Sequence, residues 1–313
     1  GTPVVHGQGN ITTMGQPGAI TEGSFVETHI FTSEGTYTVT TTLVDDDTGT
    51  VIVSKTATIE ITAAQVDQTD PNLRVLAVGG TTAGDAMDVV RDDTYNRITV
   101  TIATASLGLN YTAVYGTNYV RALMFGQSGD DFLKVQGRLE SIQDGGAGHD
   151  RLQSGSASSV LLGRDGDDNL NGGGRDILIG GRGADRIVGT SADDILIAGY
   201  TDYDHDTIAL TYLHNEWKSS RDAAARVANL RGTAAATTAR LNGNYFLTAD
   251  SMEAGRIVRG TIHDDDISDK LTGSSGIDWI ISNFDGESGS TSDTSTGNEK
   301  RDILYDVDEV PDE

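Results

Sequence analysis

Aspartate returns at a fixed place in a run of short glycine-rich rows. Residues 145–153 read GGAGHDRLQ, 163–171 GRDGDDNLN, 180–188 GGRGADRIV and 189–197 GTSADDILI; upstream, 126–134 read GQSGDDFLK. Every row has glycine first, aspartate sixth and a large apolar residue eighth. Residues 172–179, GGGRDILI, are the same row with one residue deleted, and residues 154–162 keep the length but carry Ser159 in sixth place. A carboxylate at so regular an interval, surrounded by glycine, is the chemistry of a hard-cation ligand.

A fixed period of nine predicts a parallel β-roll. In such a roll the apolar end of each row is a short strand with its large residue inward. The glycine-rich part is a turn whose positive φ angles penalise a β-carbon. Two rows make one coil, so alternate rows stack. This places Asp131, Asp150, Asp168 and Asp185 in one column and Asp176 and Asp194 in another. Stacked turns lie about 4.8 Å apart, where like charges repel by about 1 to 3 kcal/mol per pair. A divalent cation between the turns reverses that sign, and Ca²⁺ takes its oxygens from carboxylates and backbone carbonyls alike.

The rows resemble the haemolysin-type (RTX) calcium-binding repeats of secreted bacterial proteins. The resemblance implies one Ca²⁺ between each turn and the next turn stacked on it. The lower turn gives the carbonyls of its second and fourth residues and its Asp; the upper turn gives those of its first and third and its Asp. One implied site uses Gly146, Gly148 and Asp150 with Gly163, Asp165 and Asp168. The next uses Arg164, Gly166 and Asp168 with Gly180, Arg182 and Asp185. On the other side Gly172, Gly174 and Asp176 face Gly189, Ser191 and Asp194, with a deleted residue disturbing the carbonyls. An upstream site, weakened by one extra intervening residue, pairs Gln127, Gly129 and Asp131 with Gly145, Ala147 and Asp150. Ser159 should cost the second side a site.

Composition agrees with a cation as partner. The 313 residues hold 47 acidic against 22 basic side chains, a formal charge of −25. Such a charge disfavours nucleic acid or an anionic membrane as the main partner. Asp outnumbers Glu roughly three to one, a bias toward turns and metal. With no cysteine, 39 glycines and 6% aromatics, the chain fits a protein exported unfolded and stabilised outside by metal, not by disulfides. No apolar run is long enough to span a membrane. No signal peptide is visible at Gly1, so the chain reads as processed or as one piece of something larger.

The elements around the rows divide the chain. Residues 24–62 alternate with the period of β-strands, and they resemble the last three strands of a PKD domain, an immunoglobulin-like sandwich of cell-surface proteins. The resemblance rests on His29, Gly35, Thr36, Tyr37, Asp45, Asp46 and Gly49. Because the chain starts at GTPVV, as though cut inside that domain's WGDGT-type motif, the sandwich would be partial, its missing strands coming from a cleaved piece or a neighbouring subunit. The expected order is a partial sandwich over 1–64, a linker over 65–75, a calcium-binding roll over 76–199, a helical insertion over 200–232, and resumed rows with a C-terminal cap over 233–313. The whole is mainly β, a parallel β-roll interrupted by one amphipathic helix. That helix, 206–231, carries Ile208, Leu213, Trp217, Ala224, Val227 and Leu230 at helical spacing, packs along the roll or at its end, and is anchored by Trp217. In the resumed rows Asp269, Asp278 and Asp302 hold sixth place, and a mobile acidic loop, 282–296, separates the last two.

No nucleophile elbow, zinc-protease helix or nucleotide loop is present, and the six histidines are scattered. The reading is therefore non-enzymatic: an extracellular or cell-surface calcium-binding protein, structural or adhesive, in a surface layer, matrix or filament. Its partners would be calcium and either copies of itself or other extracellular subunits. The alternative is a calcium-triggered folding and export module of a larger protein.

Overall fold

The computed structural model describes residues 62–235, 239–253, 256–283, 294–296 and 303–306, and the strands Asn10–Thr13, Glu22–Ser24, Gly35–Val44 and Thr50–Ile59. The chain divides into two compact units, residues 1–32 and 33–313. In the first, Asn10–Thr13 pairs antiparallel with Glu22–Ser24. The second holds a long antiparallel hairpin, Gly35–Val44 with Thr50–Ile59, and the roll. His29, Asp45, Asp46 and Gly49, on which the sandwich resemblance partly rests, lie outside the described residues.

Period nine becomes a roll because each row contributes one rung to one of two nine-stranded sheets. Sheet A stacks Arg74–Gly79, Arg121–Phe125, Glu140–Ala147, Val160–Asp165, Ile177–Arg182, Ile195–Ile197, Trp279–Ser282 and Ile303–Asp306 in parallel. Sheet B stacks Ala86–Asp92, Phe132–Gln136, Arg151–Gln153, Asn169–Asn171, Arg186–Val188, Lys270–Thr272 and Thr294–Thr296. The eighth-place residues of both sheets, among them Leu133, Leu152, Leu161, Leu170, Leu178, Ile187 and Leu196, meet inside as one core. At the first end the stacking turns antiparallel: Thr62–Val66 closes sheet A, and Arg97–Thr104 with Leu109–Gly116 closes sheet B.

The two sheets differ on their outer faces. Sheet A rows are apolar at three successive positions, VLL at 160–162, ILI at 177–179 and 195–197, WII at 279–281. Their outward members form a second core with the helices: Val160, Leu162, Ile177, Ile179, Ile195, Ile197, Trp279 and Ile281 against Leu210, Leu213, Trp217, Val227 and Leu230. Sheet B rows, such as RLQ, NLN and KLT, are polar outside, and their outer side chains remain half-buried or exposed.

Three expectations need correction. Residues 65–75 are not a linker: Thr62–Val66 and Arg74–Gly79 form an edge hairpin, turned at DPN where Asp70 accepts from the Asn72 amide at 2.9 Å. The single helix is two, α1 (Thr207–Trp217) and α2 (Ala223–Leu230). Asp206 caps the first through the amides of Ile208 and Ala209; Asp222 caps the second through that of Ala225. A second N-cap inside the periodic stretch restarts the helix, which leaves Ala224 exposed. The rows do resume after the helices, and those before and after stack directly, Arg186–Val188 on Lys270–Thr272 and Ile195–Ile197 on Trp279–Ser282. Finally, the 282–296 segment is not wholly a loop: Thr294–Thr296 is a rung of sheet B, so the segment supplies the half-coil that the row count lacked.

The helices therefore cover the flank of sheet A. Trp217 is fully buried, donates Nε1–H to the Asp193 carbonyl at 3.0 Å and lies with its ring centre 6.5 Å from that of Trp279. The Arg226 guanidinium sits over its ring at 4.4 Å while pairing with Asp193. Trp217→Ala should lower unfolding stability by about 3 to 5 kcal/mol, measured by denaturant melts in calcium. A change near zero would mean that the helices ride passively on the roll.

Candidate metal centres

Each turn begins as its strand pairing ends, and the bends fall on particular residues. The second and fourth residues of the turns take positive φ: Gly146 and Gly148, Gly181 and Gly183, but also Gln127 at 79° and Arg164 at 89° beside Gly129 and Gly166. Glycine there has a second reason. A β-carbon on Gly166 would strike the Gly148 carbonyl of the coil below, and one on Gly148 would strike that of Gly129. Fourth-place carbonyls thus point at the next turn up. First-place carbonyls point the other way: a β-carbon on Gly163 would meet both the Gly180 carbonyl and Oδ2 of Asp168. The same triad recurs at Gly126 with Gly145 and Asp131, at Gly145 with Gly163 and Asp150, and at Gly180 with Ala198 and Asp185. Oxygen atoms converge on cradles that only glycine leaves open.

The aspartates form a ladder through one carboxylate oxygen. Oδ1 of Asp131 accepts from the Asp85 amide at 2.6 Å, Asp150 from Asp131 at 2.7 Å, Asp168 from Asp150 at 2.7 Å, Asp185 from Asp168 at 2.8 Å and Asp269 from Asp185 at 2.6 Å. The second column runs Ser159, Asp176, Asp194, Asp278 at 2.6, 2.8 and 2.9 Å. Asp269 and Asp278 thus continue the two columns across 84 residues of sequence.

The other oxygen separates two kinds of turn. In Asp131, Asp150, Asp168, Asp185 and Asp194 it is buried with no hydrogen-bond partner among the described residues. In Asp176 it accepts from the amides of Gly173 and Gly174 and from Ser154 Oγ, because the deleted residue tightens the turn onto its own carboxylate. At the first end Asp85 is likewise held, by the Thr81 amide and the Thr104 hydroxyl. Ser159, lacking a carboxylate, takes the ladder amide of Ser141 on its hydroxyl at 3.1 Å. The extra residue upstream does no harm to the Asp131 turn. It is absorbed on the opposite side, at Gly137 with φ 83°, so Gly126, Gly145 and Asp131 keep the same triad as the later rows.

Burial acts strongly on the open carboxylates. Desolvation, partly offset by the ladder amide and reinforced by neighbouring aspartates, pushes Asp131 and Asp168 up to about 8 and Asp185 to about 9. Asp150 rises to about 6. Asp194 rises to about 9 through burial and then Asp176. An unpaired buried anion is unstable, and either a proton or a cation must relieve it. The donors on offer are all oxygen, which suits Ca²⁺. Among the described residues no three acidic, His or Cys side chains come together; a site of two carboxylates and several carbonyls stays below that count. Asp302 lies outside the described residues.

Residues 144–174 and 172–199 each match the family model of the RTX calcium-binding nonapeptide repeat (4 copies). These are RTX repeats. The RTX roll binds several Ca²⁺ ions, as repeats of this kind do, and they are typical of secreted bacterial proteins. No curated protein and no solved structure matches the chain. Among the described residues, no helix is long and apolar enough to cross a membrane.

The raised carboxylates fix the sign of the pH dependence. Without metal the folded roll holds protons that the unfolded chain releases near pH 4, so stability is greatest in acid and is lost as pH rises through about 6 to 9. In chelator, melting temperature should rise when pH is lowered from 8 to 5; in calcium, whose ions compete with those protons, acid should lower it. Asp168→Asn reads the same reversal at one residue. It should raise the melting temperature in chelator at pH 8 and lower it in calcium. Asp176→Asn, already held by its own turn, should not change sign. A chelator melting curve that is flat in pH for both proteins would contradict this account.

Proposed function

We propose that the chain is a non-enzymatic extracellular or cell-surface component, folded by calcium, with a structural or adhesive role in a matrix, surface layer or filament. The observation that carries this reading is the column of buried, open carboxylate oxygens at Asp131, Asp150, Asp168 and Asp185. The calcium ions between its turns are held by Gln127, Gly129 and Asp131 with Gly145, Ala147 and Asp150; by Gly146, Gly148 and Asp150 with Gly163, Asp165 and Asp168; and by Arg164, Gly166 and Asp168 with Gly180, Arg182 and Asp185. Asp168 straddles two of these gaps, with Oδ1 toward the coil below and Oδ2 beside the Gly180 carbonyl. The geometry also supports an ion between the Asp185 and Asp269 turns. On the second side, Gly172, Gly174 and Asp176 with Gly189, Ser191 and Asp194 form a poorer site, since Asp176 has both oxygens engaged.

Assembly is supported by the first end of the roll. Thr62–Val66 and Leu109–Gly116 are the last strands of their sheets, and Val66, Leu107 and Val114 beside them are 51–62% exposed. Unpaired edges with apolar side chains invite strand pairing.

Extracellular calcium sites have Kd of roughly 10⁻⁴ to 10⁻³ M. At tenfold excess each adds about 1.4 kcal/mol, so three or four sites supply about 4 to 6 kcal/mol, comparable with a domain's net stability. Chelation should therefore lower the roll's melting temperature sharply, read by circular dichroism, and disperse any assembly, read by sedimentation. A chain that stays a monomer in calcium would favour the export-module reading; one that keeps its spectrum and melting curve in excess chelator would remove the calcium-folding reading itself.

A further inference from the structure

Five successive rungs of sheet B bear on their outer face a charge opposite to that of the molecule. On Phe132–Gln136, Arg151–Gln153, Asn169–Asn171, Arg186–Val188 and Lys270–Thr272, the residues flanking each buried Leu or Ile point outward. They include Lys134, Arg151, Arg186 and Lys270; the carboxylate on the adjoining rung, Asp88, lies in register with Lys134 and accepts from Gln136 at 2.9 and 3.0 Å. Arg151, Arg186 and Lys270 are exposed, and the parallel register sets Phe132, Arg151, Asn169, Arg186 and Lys270 in one column. Four rung spacings make this column about 19 Å long. None of the four cations has an ion-pair partner among the described residues; Arg151 instead lies over the Phe132 ring at 5.3 Å. Amides fill the places between, with Asn171 donating to Asn169 at 2.9 Å.

In a chain of net charge −25 this face needs a cause beyond solubility, since acidic side chains would keep it wet as well. Sheet A shows how the fold treats a face it means to cover: apolar rows under two helices. Sheet B is left flat, polar and open, with cations separated by hydrogen-bonding amides. We infer that the outer face of sheet B binds a linear acidic polysaccharide, whose carboxylates pair with the Arg and Lys column and whose hydroxyls meet the intervening amides. Nucleic acid fits less well. Its dense phosphates are repelled by the overall charge, and the single aromatic ring of the face lies beneath a guanidinium, not open for base stacking. The turns that border this face are those of the Asp131–Asp185 column, so bound calcium also lowers the negative potential along its rim.

This inference extends the adhesive part of the proposed function, and calcium-dependent melting and glycan binding can fail separately. The test uses the calcium-loaded full chain and hyaluronan, a soluble linear polymer with a carboxylate on alternate sugars, followed by titration calorimetry. Neutral dextran, duplex DNA and anionic phosphatidylglycerol vesicles are the controls. Hyaluronan should bind, weaken as salt rises, and lose about tenfold or more in affinity in the Arg151→Gln, Arg186→Gln, Lys270→Gln triple variant, while the calcium-dependent melting curve stays unchanged. A single Lys134→Gln variant should give a smaller loss in the same direction. Absence of binding to hyaluronan, equal binding by the triple variant, or binding to dextran, DNA or vesicles as tight as to hyaluronan would overturn the inference.

Discussion

Each aspartate in the first column gives one carboxylate oxygen to the amide one coil below and leaves the other buried beside a carbonyl from the coil above. That second oxygen is the constraint on which the roll turns. It has no internal donor, it is shielded from water, and its neighbours are other carboxylates. Hydrogen bonding sets the register of the stack, but leaves Asp131, Asp150, Asp168 and Asp185 each with an oxygen that has no donor among the described residues. Relief comes from a proton or from a cation supplied from outside.

Much of the rest follows from keeping those oxygens aligned. Glycine at first place is a clearance requirement, and at fourth place a torsional one as well, since a β-carbon at Gly163 or Gly166 would occupy the space the oxygens converge on. A change of row length is felt on its own side: on the second side one residue lost at 172–179 closes a turn onto Asp176, while one gained at 135–144 leaves the Asp131 turn of the first column undisturbed. The helices, too, must leave and return in register. Lys270–Thr272 lands on Arg186–Val188 and carries Asp269 onto Asp185, so the insertion interrupts the sequence but not the sheet.

The stacking partners were legible because period nine is a direct statement of geometry, and the aspartate columns could be written down from the rows alone. The capping of individual carboxylates was not, because it depends on where Gly173, Gly174 and Ser154 place their donors. The helix break was visible in principle: Asp222 followed by an alanine run is an N-cap signal, overridden in the reading by a hydrophobic period that happened to continue across it. DPN at 70–72 was read as a linker when it is the turn of a hairpin, a distinction that rests on whether both flanks find a sheet. The triplet VLL, ILI, ILI and WII rows against RLQ, NLN and KLT carried a plain signal for which sheet is covered, and it becomes readable once rows are sorted by side instead of by order.

That sorting also bears on how the two sheets divide the work. A roll with both outer faces polar would be a stalk, and one with both apolar would need two covers. Here the helices use up the apolar face, with Trp217 and Trp279 in one contact and Asp193 tying Arg226, Arg175 and the Ile277 amide together. Because Asp193 precedes the ladder residue Asp194, the cover is fastened to the same turn that continues the second aspartate column. Ordering of that turn by the ladder therefore also orders the seat of the helices, and loosening it would release the cover from sheet A. The aspartate-bearing turns and the helical cover are in this way parts of one structure.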